Sequence, residues 1–237
     1  MYKLEMHLHT KGNSSCGKEM PIKIIERYKK AGYDGIVCTN HFNKYIFYKY
    51  FRNYKTTEDK VNKYLEAYYE LYKYGEKEGI DIFFGVELAL LNDDYHNHVR
   101  PNCAELLVYG ITVEEFKKYN VKLANMNYEK FYNFADENNW LVVQAHPFRA
   151  RTKLVDPKYL HGQEAYNGHP FHNNRNDLAL ERAEEFGLIK TAGSDFHALN
   201  YEGTGLAFER KVTSEQDLVK LLRTTKPQIF KRKEGNL

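Results

Sequence analysis

Seven short apolar runs, spaced by longer amphipathic stretches, constrain the fold of this chain more than any other feature. The runs are Lys3–Leu8, Gly35–Thr39, Ile82–Leu90, Ala104–Tyr109, Leu141–Ala145, Glu164–Tyr166 and Ile189–Ala192. Each has the length of a strand. Between them, helical periodicity predicts helices over Ile22–Ala31, Glu58–Gly79, Tyr128–Asn138, Asp177–Phe186 and Ser214–Arg223. Pro21 and Gly32 bracket the first helix, and Thr213 or Ser214 supplies a cap for the last. Strands that alternate with helices imply parallel pairing through helical crossovers. No repeat or low-complexity linker divides the 237 residues. The expectation is one α/β domain over residues 1–237, of barrel type.

Several function classes drop out at this point. A net charge of +3 makes no case for a nucleic-acid surface. The three cysteines, Cys16, Cys38 and Cys103, are widely spaced and imply neither a disulfide framework nor a paired-cysteine zinc site. No stretch has the length and apolarity of a membrane span, and the N-terminus lacks a signal-peptide layout. A cytoplasmic protein with no membrane contact and no obligate protein partner is expected.

The histidines gather at the ends of the runs. His7 and His9 close the first. On a strand, residues two apart share a face, so both rings can meet one ion. His41 ends the second run, His146 the fifth, and Asp195 and His197 follow the seventh, while Glu87 lies inside the third. Singly, each has an ordinary reading: His41 as a core or strand-cap residue, Asp195 as a helix cap, His146 as a turn residue before Pro147. Glu87 between Val86 and Leu88 resists one, because a carboxylate in an apolar strand needs a partner or a cation. In a parallel barrel the loops after the strands open on one face. Imidazole and carboxylate converging there suit zinc, manganese or iron, and the number of ligands implies two or three divalent ions.

The ordered segments "HLHT", "VCTNH", "GVE", "AHPF" and "GSDFH" resemble the polymerase-and-histidinol-phosphatase (PHP) family of metal-dependent phosphoesterases, from Met1 to about Gly205. The resemblance implies a distorted (β/α)7 barrel, TIM-barrel-like, with up to three ions at the carboxyl ends of the strands. It implies that His7, His9, Glu87 and Asp195 hold one ion, that Glu87 bridges to a second held by His146, and that His41 and His197 hold a third. Two positions depart from the common pattern. Cys16, in "SSCG", stands where members usually carry Asp or His. Glu105, in "AELLVYGI", stands where they tend to carry histidine. Both are candidate ligands, and His96 and His98 compete with Glu105.

The implied reaction is hydrolysis of a phosphate ester through a metal-bridging hydroxide. Arg149 is the candidate grip on a phosphoryl oxygen, and His197 or His41 the candidate acid for the leaving group. Lys11, His169, His172 and Arg175 are further candidates for reaching substrate, and Arg100 a weaker one. Glu164 and Asn167 resemble a family segment near the site without an assigned role. The expected substrate is small and phosphorylated: a nucleotide, a short oligonucleotide or a phosphomonoester such as histidinol phosphate. The rival classes are an amidohydrolase-type C–N hydrolase and a non-catalytic metal-binding module.

Overall fold

A computed structural model describes residues 1–90 and 103–231. All seven expected strands form, and they are β1 (Tyr2–Leu8), β2 (Gly35–Cys38) with its short continuation β3 (His41–Phe42), β4 (Asp81–Phe84) with its continuation β5 (Val86–Ala89), β6 (Glu105–Tyr109), β7 (Leu141–Gln144), β8 (Gly162–Asn167) and β9 (Ile189–Gly193). The third run is one strand by composition but two in space, broken at Gly85. A side chain there would lie 2.9 Å from Val37 Cγ1 and 3.1 Å from Thr39 Cγ2, so the strand can pass close to its neighbour only as glycine. Two strands beyond the seven, β10 (Gly205–Phe208) and β11 (Gln228–Phe230), add antiparallel to the outer side of β1.

The strands form two sheets, ordered β11-β10-β1-β2-β4 and β3-β5-β6-β7-β8-β9. β2 and β4 lie in the first sheet and their continuations β3 and β5 in the second, which joins the sheets along one seam. The other seam closes between β1 and the chain after β9, where Phe196 N donates to His7 O at 3.0 Å and His9 N to Phe196 O at 2.9 Å. Seven strands thus wrap into a distorted (β/α)7 barrel of mixed α/β class. The expectation of parallel pairing needs one correction: β6 runs antiparallel to both β5 and β7. Its reversal matters for the site. The start of β6, with Glu105, lies at the end of the barrel where its neighbours finish.

The helices are α1 (Pro21–Lys30), α2 (Lys44–Tyr50), α3 (Thr57–Glu78), α4 (Val113–Ala124), α5 (Tyr128–Glu137), α6 (Asn176–Glu185) and α7 (Glu215–Thr224). The five expected ones are α1, α3, α5, α6 and α7; α2 and α4 are additional. α4 starts on a reciprocal cap, in which Thr112 accepts from Glu115 N while the Glu115 carboxylate accepts from Thr112 N. Ser214, of the two candidates, caps α7. One apolar cluster lies between the strands and α1, α3, α4 and α5, and includes the wholly buried Trp140 and Tyr28. A second joins Met6, Val37, Leu107 and Val143 to Leu218 and Val219 of α7. No described helix is long and apolar enough to cross a membrane.

Candidate metal centre

The pleat of β1 does what the spacing predicts. His7 and His9 are buried, and their Nε2 atoms stand 3.1 Å apart. Asp195 reaches the pair from the turn after β9, with Oδ1 at 3.4 Å from each Nε2. Gly193 permits that approach, since a Cβ there would sit 2.4 Å from His7 Cβ. Glu87 enters from β5, with Oε1 at 3.2 Å from His7 Nε2 and Oε2 at 3.4 Å from His9 Nε2.

Glu87 also faces two further histidines. His146 Nε2 lies 3.3 Å from its Oε1, and His41 Nδ1 lies 2.5 Å from its Oε2. Glu105 joins this side through the reversal of β6, 3.5 Å from His146 and 3.6 Å from His41. On the outer side the ring centroids of His41 and His197 lie 4.2 and 4.4 Å from that of His9. Cys16 lies on this side, close enough to His41 and His197 for their charges to act on its thiol, with Sγ 2.7 Å from Ser14 Oγ. Eight of the nine candidate ligands fall into close groupings of ligand atoms, and Cys16 falls into none of them. Four groupings bring ligand atoms within 4.8 Å of one another: His7, His9 and Asp195; His7, Glu87 and His146; His41, Glu87 and Glu105; and His9, His41 and His197.

These residues fit divalent cations on chemical grounds. Two nitrogens bound at about 2.0–2.1 Å to one tetrahedral ion stand roughly 3.3 Å apart, close to the separations found. Both oxygens of Glu87, His9 Nδ1 and His146 Nδ1 are buried without a hydrogen-bond partner among the described residues. A carboxylate in that state is costly unless a cation meets it. Without an ion, protons take part of that role. Burial alone would lower His7, but Asp195, Glu164 and Glu87 outweigh it and push it well above the histidine range. His41 is raised in the same way by Glu87 and Cys16. His9 goes down, through burial and the neighbouring His41 and His197. Burial pushes the Cys16 thiol up, but His41 and His197 pull it down to about 5, which favours the ligating thiolate. Burial likewise opposes ionisation of Asp195, and Arg149 and His7 overcome it, holding the carboxyl well below its usual range.

Two candidate ligands have positive φ, His146 at 27° and Asp195 at 50°. Such conformations cost on the order of 1–3 kcal/mol and persist where surrounding contacts hold them. For Asp195 one such contact is Arg149, whose Nη2 donates to Asp195 Oδ2 at 2.5 Å and to Asn167 Oδ1 at 3.1 Å. Arg149 Nε donates to Asn174 at 2.8 Å. The expected phosphate grip is thus already held along one edge, and its Nη1 has no partner among the described residues.

Glu164 accepts from His7 and from His146 N, and so stands directly behind the ligands. His169 packs at the rim, with ring centroids 5.7 Å from His197, 4.8 Å from Tyr201 and 4.3 Å from His172. Lys11 and Arg175 are exposed, Arg175 at the start of α6. His96, His98 and Arg100 lie outside the described residues. Sequence reasoning missed Asn174 and Tyr201. Neither carries a spacing signal, and each reaches the site only through the loops after β8 and β9.

The sequence profile of the PHP domain matches residues 5–201. Among solved structures, the chain is similar to a two-domain Bacteroides vulgatus protein containing a predicted PHP-like metal-dependent phosphoesterase, with a TM-score of 0.65 and 18% identity. That match covers 98% of this chain and 65% of the other, so this chain spans less than two thirds of it. It is similar to PsfC from Pseudomonas syringae, with a TM-score of 0.59 and 16% identity over 92% of this chain and 87% of that one. It is also similar to an amidohydrolase from Chromobacterium violaceum with bound sulfate and no metal, with a TM-score of 0.52 and 13% identity over 83% and 88% of the two chains. No curated protein matches it. At these identities the likeness to solved structures is one of fold.

Proposed function

The chain belongs to the PHP domain family, and we propose from that premise that it is a metal-dependent phosphoesterase in which residues 1–237 act as one domain. The observation that carries the reading is Glu87, a buried carboxylate in an apolar strand that faces four histidines: His7 on β1, His41 on β3, and His9 and His146 just beyond β1 and β7. In this reading His7, His9, Glu87 and Asp195 hold one ion, Glu87, Glu105 and His146 a second, and Cys16, His41 and His197 a third. Zinc, manganese and iron all suit these donors. When bound, such ions lower the pKa of water and neutralise phosphoryl charge.

The remaining work falls to the chain itself. Arg149 offers its Nη1 edge to a non-reacting phosphoryl oxygen while Asp195, Asn167 and Asn174 hold the rest of the guanidinium still. Asp195 keeps His197 oriented: His197 Nδ1 lies 2.8 Å from Asp195 O, which leaves the rest of the ring toward the rim. His197 or His41, where it is not committed to an ion, is the proton donor to the leaving alkoxide in this reading. The substrate is a small phosphorylated molecule, a nucleotide, short oligonucleotide or phosphomonoester, and a cytoplasmic location suits it.

The test is a panel of phosphomonoesters, cyclic nucleotides and short oligonucleotides, with simple amides alongside, assayed on protein of defined metal content. Turnover of a phosphoester is expected. Asp195→Asn should lower it by on the order of a hundredfold or more, the scale of losing a key electrostatic contact. Turnover of amides alone would favour the C–N hydrolase reading, which the fold likeness to the Chromobacterium violaceum amidohydrolase keeps in view. Full metal with no turnover would favour the binding module.

A further inference from the structure

Glu164 lies in β8, almost wholly buried, where the pairing of β8 with β9 slips register. Such an irregularity re-aims a side chain. The carboxylate is satisfied entirely by N–H groups. Its Oε1 accepts from His7 Nδ1 at 3.0 Å. Its Oε2 accepts from His146 N at 2.9 Å and from Asn167 Nδ2 at 2.8 Å.

The two donors on Oε2 cannot reverse roles. A backbone N–H only donates. The Asn167 amide is locked as well, because its Oδ1 already accepts from Arg149, from His169 N at 3.0 Å and from Asn174 Nδ2 at 2.9 Å. As a carboxylate, Glu164 only accepts on Oε1 too, so His7, the one imidazole on it, carries a proton on Nδ1. That leaves Nε2 of His7, the atom aimed at His9, Glu87 and Asp195, as the one to give up its proton to a metal ion.

The geometry points to Glu164 as a positioning residue that sets the tautomer of His7, so that Nε2 is free to bind metal. This role rests on the reading of the site as a metal centre. It is separate from which ester is cleaved. A carboxylate behind a ligating histidine orients the ring and raises its basicity, and its loss typically costs ten- to a hundredfold in metal affinity.

Glu164→Gln distinguishes this role from simple packing. Gln is nearly isosteric, and the fixed donors His146 N and Asn167 Nδ2 hold its amide oxygen in the place of Oε2. Its NH2 then faces His7 Nδ1, which must become an acceptor, and the His7 proton moves to Nε2 against the metal. Glu164→Ala removes the carboxylate but lets His7 choose its tautomer. The two variants should therefore rank in opposite orders. In metal-free protein, Ala should be the less stable, because it loses two donors' partner and leaves a void. In zinc affinity, measured by competition with a chromophoric chelator, Gln should be the weaker, at least about tenfold below wild type.

The effect should also pass through His7 alone. In a His7→Ala background, Glu164→Gln should cause no further loss of zinc affinity. Wild-type affinity in Glu164→Gln would overturn the assignment. So would weaker binding by Ala than by Gln, or a Gln effect that persists without His7. Wild-type protein that takes up no zinc, manganese or iron would overturn the metal reading of the site itself, and this role with it.

Discussion

Arg149→Ala tests how the site is held together as well as what it binds. Arg149 and Asp195 are 15% and 1% exposed at their side chains and meet at 2.5 Å. Removing the arginine strips the buried carboxylate of its main cationic partner and takes a donor from Asn167 and from Asn174. Breaking a buried pair from one side costs about 3–5 kcal/mol. At roughly 2.1 cal/mol/K per residue the unfolding entropy of a chain this long is about 0.5 kcal/mol/K, so the melting temperature of metal-free protein should fall by about 6–10 °C. Adding Asp195→Asn removes the stranded charge, and the double variant should recover part of that loss. An ion beside Asp195 supplies positive charge too, so metal-loaded Arg149→Ala should lose less stability than the metal-free form. Its affinity for inorganic phosphate should still fall. The assay is thermal and denaturant unfolding of wild type and the two variants, with and without metal, and phosphate titration of the loaded forms. A loss under about 1 kcal/mol in metal-free Arg149→Ala, or a double variant no more stable than the single, would refute the reasoning.

Cys16→Ser should lower metal content by one ion per chain with an unchanged circular dichroism spectrum, because a hydroxyl replaces a thiolate beside His41 and His197; unchanged metal content would remove Cys16 from the ligands. Gly193→Ala places a Cβ 2.4 Å from His7 Cβ and 2.8 Å from His7 N, and should cost roughly 1–3 kcal/mol in denaturant unfolding while weakening metal binding, as β9 is pushed off β1. Asp217 is held down to about 2 by its hydrogen bonds with Arg210, so its contribution to stability is complete above the unfolded value of about 3.9 and is lost as pH falls toward 2. Asp217→Asn should flatten that acid limb, read as the difference in unfolding midpoint between about pH 5 and about pH 2.5.

Much of the architecture and of the candidate ligand set was legible without coordinates, for a reason particular residues make plain. Strand and helix periodicity are local, so the seven strands and five of the helices could be read from apolar spacing. Metal ligation demands a few residue types, and the pleat alone puts His7 and His9 on one face. Glu87 stood out because nothing apolar explains a carboxylate between Val86 and Leu88. The elements that escaped are those whose stability comes from elsewhere: β3 has two residues, β10 four, β11 three and α2 seven, and packing against neighbours holds them rather than propensity. α4 is the exception, since its reciprocal cap, "TVEE", is a local signal that the sequence carries.

What only the tertiary structure decided is which group faces which. No local pattern says that β6 runs backwards, yet that reversal alone brings Glu105 beside His41 and His146. Nor could spacing show that Glu164, 157 residues along the chain from His7, would accept its Nδ1 proton. The same holds for Arg149, whose guanidinium is committed to Asp195, 46 residues away. Periodicity and residue type determine the strands and the kinds of ligand, because both are properties of a few consecutive residues. Tautomer, charge balance and strand direction depend on contacts between distant segments, and those exist only once the barrel has closed.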